Sequence, residues 1–332
     1  MEKSQGTKVG AGAGLAHRMI IVTGGAGFIG SNLIQALNAE GEDRILIVDR
    51  LADNFRNLCD LRFCDFIGPE EFRHTIENRL LPDDITAIFH QGACADTTST
   101  DGRYLMENNF AFSKAVLHFA LERRIPLVYA SSASVYGAGQ ASQPIPGNER
   151  PLNLYALSKL VFDNYVRSLR GPADSTVVGL RYFNVYGPRE RHKGRMASMV
   201  YQLYRQIQET GCAKLFEGTD GYQNGEQRRD FVFIGDVVRI NLFFARRPGT
   251  TRGIFNVGSG NSRSFNTVAR SIIATAGQGH IEYIPFLPEL QGKYQSFTQA
   301  DLSGLRGASW TEPFTALEDG IAQSFPAWAQ EA

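Results

Sequence analysis

Behind a polar, glycine-rich leader the chain opens on an apolar run, Ile20-Ile21-Val22-Thr23, too short for a helix and rich in β-branched residues. That pattern predicts a strand buried on both faces. A glycine-punctuated turn follows, and apolar positions then recur at helical spacing through Ile29, Leu33, Ile34 and Leu37. A second apolar run, Ile45 to Val48, predicts the next strand. The alternation continues with a short helix around Glu70 to Leu80, a strand at Ala87 to His90, a long helix from Tyr104 through Arg123 and a strand at Leu127 to Ala130. It ends with a helix through Tyr155, Leu160, Phe162, Tyr165 and Leu169, and a strand at Val177 to Leu180. Strands that alternate with helices predict an α/β fold, a Rossmann-type doubly wound parallel sheet.

Past residue 185 the alternation weakens into Gly- and Pro-punctuated pieces at 196–210, 214–216, 230–246, 253–257 and 313–330, with the polar stretch Asp220 to Gln227 predicted as an exposed loop. The expected organisation is a flexible extension over 1–18, whose small residues from Gly10 to Gly14 cannot pack, a dinucleotide-binding domain over 19–185, and a smaller mixed α/β substrate lobe over 186–332 with some segments returning to the first domain.

Composition narrows the function classes. The 332 residues carry 34 basic and 34 acidic side chains, so no global field favours nucleic acid or an anionic membrane, and an anionic ligand must be held by local groups. The four cysteines, Cys59, Cys64, Cys94 and Cys212, form no CxxC pair and no zinc spacing, so no metal site is expected. No apolar run reaches membrane-spanning length and the leader lacks a signal-peptide core, which gives a cytoplasmic expectation.

The chemistry gathers where strands end. Gly24, Gly27 and Gly30 fall between the first strand and helix: Gly24 for a tight turn, Gly27 for close approach of a pyrophosphate, Gly30 for helix-on-sheet packing. Asp49, just past the second strand, stands where a carboxylate can bind an adenosine ribose. Arg50 and Arg56 are cations near the same place, able to pair with a 2′-phosphate. The strand at Leu127 runs into Ser131 and Ser132, and Tyr155 and Lys159 lie one helical turn apart. An ammonium near the phenol would favour phenolate and make Tyr155 a proton carrier near neutral pH.

The Gly-x-x-Gly-x-x-Gly spacing with Ser132, Tyr155 and Lys159 resembles the extended short-chain dehydrogenase/reductases that epimerise or dehydrate nucleotide sugars. Within that group the chain is similar to the ADP-heptose 6-epimerases, on the strength of His90-Gln91-Gly92-Ala93-Cys94, Arg181 to Arg189 with His192-Lys193-Gly194, Lys214 to Gly218, Arg229-Asp230-Phe231-Val232, and Gly292-Lys293-Tyr294-Gln295 through Thr298 to Leu302. The resemblance implies a redox-neutral inversion at C6″ of an ADP-bound heptose, a precursor of the lipopolysaccharide core, with Tyr155 and Lys193 as two acid/base groups, Lys159 orienting the cofactor and Ser132 bonding the reacting oxygen. It implies cofactor contacts from Phe28, Ile29, Gln91, Gly92, Ala93, Cys94, Ala95, Asn108 and Val185. For the substrate it implies Asn184, Phe216, Glu217, Gly218, Thr219, Arg229 and Tyr294, with Arg195 and Gln202 at two further contact positions where the family carries a small hydroxyl residue and a histidine. NADP is the implied cofactor, NAD being accepted as well, and a homo-oligomer, a pentamer in this family, is the implied assembly. The alternatives are another nucleotide-sugar epimerase, such as a UDP-hexose 4-epimerase, and a non-catalytic NADP-binding scaffold. Dehydratases carry an acidic pair after the serine position, where this chain has Ala133 and Ser134.

Overall fold

Strand β1, Met19–Thr23, is buried at every residue except its first, which suits a central position in a sheet covered on both faces. The computed structural model describes residues 18–170, 174–247, 249–287 and 294–331. Nearly all of the 1–18 extension, and Gly292 and Lys293 of the Gly-Lys-Tyr-Gln motif, lie outside the described residues.

From β1 the chain passes through the glycine turn into α1, Phe28–Ala39, and on to β2, Ile45–Val48, and β3, Asp65–Ile67. Next come α2, Pro69–Glu77, and β4, Ile85–His90. The long helix expected from Tyr104 is broken in character: α3, Gly102–Leu105, leads through a π-helical stretch, Met106–Ala111, into α4, Phe112–Arg123. Strand β5, Leu127–Ser132, outruns its expected end by two residues, so Ser131 and Ser132 still belong to the strand. Helix α5, Leu154–Ser168, follows, and then β6, Val177–Tyr182, and β7, Asn184–Tyr186.

The second half contributes α6, Met199–Thr210, β8, Cys212–Phe216, the short strands β9, Arg228–Arg229, and β10, Phe231–Phe233, and α7, Ile234–Arg246. After these come β11, Arg252–Val257, β12, Arg263–Ser264, α8, Phe265–Ala276, and β13, His280–Ile284. Helices α9, Ser303–Gly307, and α10, Leu317–Glu331, complete the described chain.

Seven strands form one parallel sheet in the order β11-β6-β5-β4-β1-β2-β3. The edge strand β11 comes from the second half and pairs along the whole of β6, Arg252 opposite Val177 and Val257 opposite Tyr182. One face of the sheet packs Val22, Val128 and Val178 against Leu33, Ile34 and Val237 of α1 and α7. The other packs Ile21, Ile88 and Leu127 against Phe72, Val116 and Phe162 of α2, α4 and α5. A separate core joins α6, α8 and α10 around the fully buried Trp328. Registers Thr23↔His90, His90↔Tyr129 and Ser132↔Tyr182 bring the carboxyl ends of the central strands to one edge, where ligands of such sheets bind. The 220–227 stretch is loop and exposed at half of its residues; Gly225 and Gln227 are buried, and Gln227 donates to the Glu217 carbonyl at 2.9 Å.

Candidate active site

The glycine turn is set by backbone contact. At Gly24, with φ of +69°, a Cβ would stand 2.6 Å from Gly92 N, and at Gly30 one would stand 2.1 Å from Gly24 O. Gly27 is the N-cap of α1 and supplies no side-chain cap, so the first N–H groups of that helix are left to an anion. Gly92 N–H donates to Thr23 Oγ1 at 3.0 Å, which holds the end of β4 against β1. This cradle fits the pyrophosphate of a dinucleotide.

At the adenosine end the expected side chains also make contacts within the chain. Asp49 was expected to face a ribose, but its Oδ2 accepts Ala26 N–H at 2.9 Å and its Oδ1 accepts Arg50 N–H at 2.8 Å, bracing the turn. Each oxygen keeps a second lone pair for a hydroxyl. Burial pushes the Asp49 pKa up, against those N–H bonds. Arg50 and Asn108, the one expected to pair with a phosphate and the other to touch the cofactor, meet each other: Arg50 donates to Asn108 Oδ1 at 3.2 Å and ion-pairs with Glu70. Arg56 lies over the ring of Phe55, 5.9 Å from its centre.

The catalytic group assembles from two neighbouring elements. Asn153 caps α5, its side chain accepting Ala156 N–H at 2.8 Å, which puts Tyr155 in the first turn and Lys159 one turn on. The Tyr155 phenol shares a hydrogen bond with Ser132 at the end of β5, and the Ser132 and Ser134 hydroxyls pair at 2.8 Å. Lys159 Nζ donates to Ala130 O at 2.9 Å. Burial pushes the Lys159 pKa down to about 8, the Asp163 carboxylate opposing it. Burial pushes the Tyr155 pKa up, and the Ser132 hydrogen bond opposes the shift. Behind this row, Asp163 accepts from Tyr129, Ser131 and Arg181 at 2.8 to 3.0 Å, a buried cluster that fixes α5 on the sheet.

Facing them is a cavity of about 760 Å³ whose wall includes both halves of the chain. Lys193 lies on its wall with Tyr155, Ser132 and Lys159, its Nζ 5.0 Å from the centre of the Phe28 ring. Burial pushes the Lys193 pKa down and the Glu190 carboxylate opposes the shift. Of the expected cofactor residues, Phe28, Ile29, Gln91, Ala93, Ala95 and Val185 line the same cavity, and of the substrate residues Asn184, Gln202, Phe216, Arg229 and Tyr294 do. Arg229 is 9% exposed and donates to Arg228 O at 3.1 Å. Its guanidinium sits 4.8 Å from the Tyr294 ring and 5.8 Å from the Phe265 ring, and among the described residues no carboxylate pairs with it.

Other expected residues fall elsewhere. Arg195 is a correction: its side chain is 75% exposed and donates to Thr98 Oγ1 at 3.0 Å, because Gly194, with φ of +52°, turns the chain between it and Lys193. Glu217, Gly218 and Thr219 are not on the cavity wall, and Gly218 N–H is taken by Asn224. Cys94 is not on the wall either; its N–H and carbonyl are held by the Asn109 side chain at 2.8 and 3.0 Å. Asn109 and Glu190 escape sequence reading. The signal for the first is an Asn pair inside a helix, where Asn is a poor former; here it marks the π-helical turn. Among the described residues no set of three His, Cys, Asp or Glu side chains could hold a metal ion, and no helix is long and apolar enough to cross a membrane.

Residues 20–258 match the model of the NAD dependent epimerase/dehydratase family. The chain belongs to that family. Among epimerase relatives, it is 50% identical over 305 residues to ADP-L-glycero-D-manno-heptose-6-epimerase of Alkalilimnicola ehrlichii, covering 91% of this chain and 95% of the other. The crystal structure of the Helicobacter pylori ADP-L-glycero-D-manno-heptose-6-epimerase superposes with a TM-score of 0.80 at 33% identity, over 94% of this chain and 96% of that one. A Thermus thermophilus UDP-glucose 4-epimerase in complex with NAD matches with a TM-score of 0.74 at 25% identity, over 95% and 100%.

Proposed function

We propose that this protein interconverts ADP-D-glycero-β-D-manno-heptose and its L-glycero epimer at C6″, with a nicotinamide dinucleotide, in the supply of heptose for lipopolysaccharide core synthesis. The observation that carries the reading is that two proton-transfer groups from different parts of the chain, Tyr155 and Lys193, line one cavity beside the dinucleotide cradle. Half identity to a heptose 6-epimerase across nine-tenths of the chain supports the substrate.

A dinucleotide bound in the cradle supplies reversible hydride transfer to and from C6″. Inversion through a transient ketone needs the alcohol proton removed on one path and restored on the other, and the oxygen points differently in the two epimers. Two acid/base groups within reach of the two oxygen positions meet that need. Tyr155 serves one oxygen position and Lys193 the other: the group that enters without its proton takes the alcohol proton as hydride leaves, and the group that carries one returns it to the ketone oxygen as hydride comes back. Ser132 donates to the reacting oxygen and Lys159, fixed by Ala130 O, orients the nicotinamide ribose. Arg229 holds the diphosphate, for a guanidinium can pair with two of its oxygens at once.

At the 2′ position Arg50 attracts a phosphate and Glu70 opposes it. Their ion pair is exposed, worth at most about 1 kcal/mol, against about 1.5 to 3 kcal/mol for a charged hydrogen bond to phosphate. That balance favours NADP, with NAD also accepted.

The test is incubation with ADP- and UDP-linked sugars without added reductant, following each stereocentre by NMR. Inversion at C6″ of the ADP-heptose alone is expected, and in heavy water the C6″ hydrogen is retained because it leaves and returns as hydride. Inversion at C4″ of a UDP-hexose, or deuterium at the inverted carbon, overturns the reading.

A further inference from the structure

Glu190 precedes the 3₁₀ segment Arg191–Met196 that carries Lys193, and it is 0% exposed. Its Oε1 accepts Gly187 N–H at 3.2 Å and the Ser198 hydroxyl at 2.8 Å, and its Oε2 accepts Ser198 N–H at 2.6 Å. Its own carbonyl accepts Lys193 N–H at 3.0 Å. Both ends of the loop are anchored elsewhere: Gly187 O accepts from Trp328 Nε1 at 3.0 Å, and the Ser198 hydroxyl caps α6 by accepting Tyr201 N–H. A buried carboxylate thus ties Gly187 to Ser198 and closes the loop whose middle presents Lys193 to the cavity.

A carboxylate is a costly means of stapling a loop, since burying its charge opposes folding. Its charge has a use here. Glu190 acts on Lys193 and favours the ammonium that burial disfavours. The other groups around that ammonium are the Phe28 ring from α1, which carries no charge, His192, which burial pushes down to about 4 and so holds neutral, and Tyr155 on the same cavity wall.

We propose that Glu190 is a positioning residue for the reaction: its buried carboxylate, tied to Gly187 and Ser198, holds the Lys193 loop in register and is the one negative side chain that loop carries. This rests on the reading of Lys193 as an acid/base group. The two parts come apart under substitution. Glu190→Gln keeps the shape and removes the charge; Glu190→Asp keeps the charge and loses the reach to Gly187 and Ser198.

The chain has seven lysines, so reductive ¹³C-methylation of the full-length protein gives a short NMR spectrum in which the Lys193 signal is the one missing from Lys193→Met. In Glu190→Gln the Lys193 titration midpoint is expected to fall, and the matching limb of the pH–kcat profile to move with it. In Glu190→Asp the midpoint is expected to stay while kcat falls about a hundredfold, the scale of a misplacement of about 1 Å. An unmoved midpoint in Glu190→Gln overturns the electrostatic part, and wild-type kcat in Glu190→Asp overturns the positioning part, the second standing even if Glu190→Gln fails to fold. Full turnover by Lys193→Met would instead defeat the acid/base reading itself, whatever Glu190 does.

Discussion

Replacing Arg229 by Met should damage binding and leave stability intact or improved, a pair of signs that a structural arginine cannot give. In the folded protein the guanidinium is desolvated with no carboxylate paired to it among the described residues, and burial pushes its pKa down. Such desolvation costs several kcal/mol. What it gains is one hydrogen bond to Arg228 O, worth about 1 kcal/mol, and contact with two rings, worth about 0.5 to 2 kcal/mol. Met keeps most of the apolar stem between Tyr294 and Phe265, so the expected net change runs from zero to a gain of about 2 kcal/mol, or at most a few degrees in Tm. Against this stands the loss of two charged hydrogen bonds to a diphosphate, together about 3 to 4 kcal/mol. That weakens ADP and the ADP-sugar by roughly 150- to 1,000-fold. Because the diphosphate is remote from the reacting carbon, the loss should appear in KM with kcat little changed. Calorimetric titration with ADP and thermal unfolding without nucleotide measure the two halves. Unchanged ADP affinity, or a Tm lowered by more than a few degrees, refutes the assignment.

Tyr155→Phe should fold and bind dinucleotide normally while turnover drops by roughly two to four powers of ten, as the phenol proton is lost and the ring stays; steady-state assay beside nucleotide titration checks it. Glu70→Gln should raise affinity for NADP by about three- to tenfold with little effect on NAD, because it frees Arg50 and removes a charge facing the phosphate; equal effects on both cofactors would place Arg50 outside the 2′ site. His90 gives a pH prediction. Burial pushes its pKa from 6.5 down to about 3, so the folded state binds fewer protons than the unfolded state between those values, and stability falls as pH drops through that window. By pH 4.5 the loss from this group is about 3 kcal/mol, with a ceiling of about 5 kcal/mol. Urea midpoints at pH 7 and 4.5 should differ less by that amount in His90→Asn, and equal pH sensitivity in both proteins would dismiss His90 as the source.

The local, periodic parts of the molecule were legible in the sequence. β1, the glycine turn, α1 and β2 lie within about thirty residues, and each glycine has a steric reason visible in its spacing; likewise Tyr155 and Lys159 needed only helical geometry to be placed together. What resisted reading depends on where long side chains go once the fold is formed. Asp49 turned to Ala26 N–H, Arg50 found Glu70, and Lys159 found Ala130 O. Arg195 left the cavity because one glycine before it adopts a left-handed conformation. Glu190 looked like any acid between Arg189 and Arg191, and only the closure of a loop from Gly187 to Ser198 buries it. Nor does the short apolar run at 253–257 declare that it finishes a sheet begun more than two hundred residues earlier.

That last strand sets a timetable for synthesis. When β6 has been made, its open edge must wait for a partner 75 residues downstream, Val177 for Arg252, which at 5 to 20 residues per second means roughly 4 to 15 s. During that interval the growing chain offers a strand, buried at all six residues in the finished protein, as a template for any neighbouring nascent chain. Arg181 sits within it, a charge that discourages edge-to-edge pairing and that Asp163 and Glu149 hold in the finished fold.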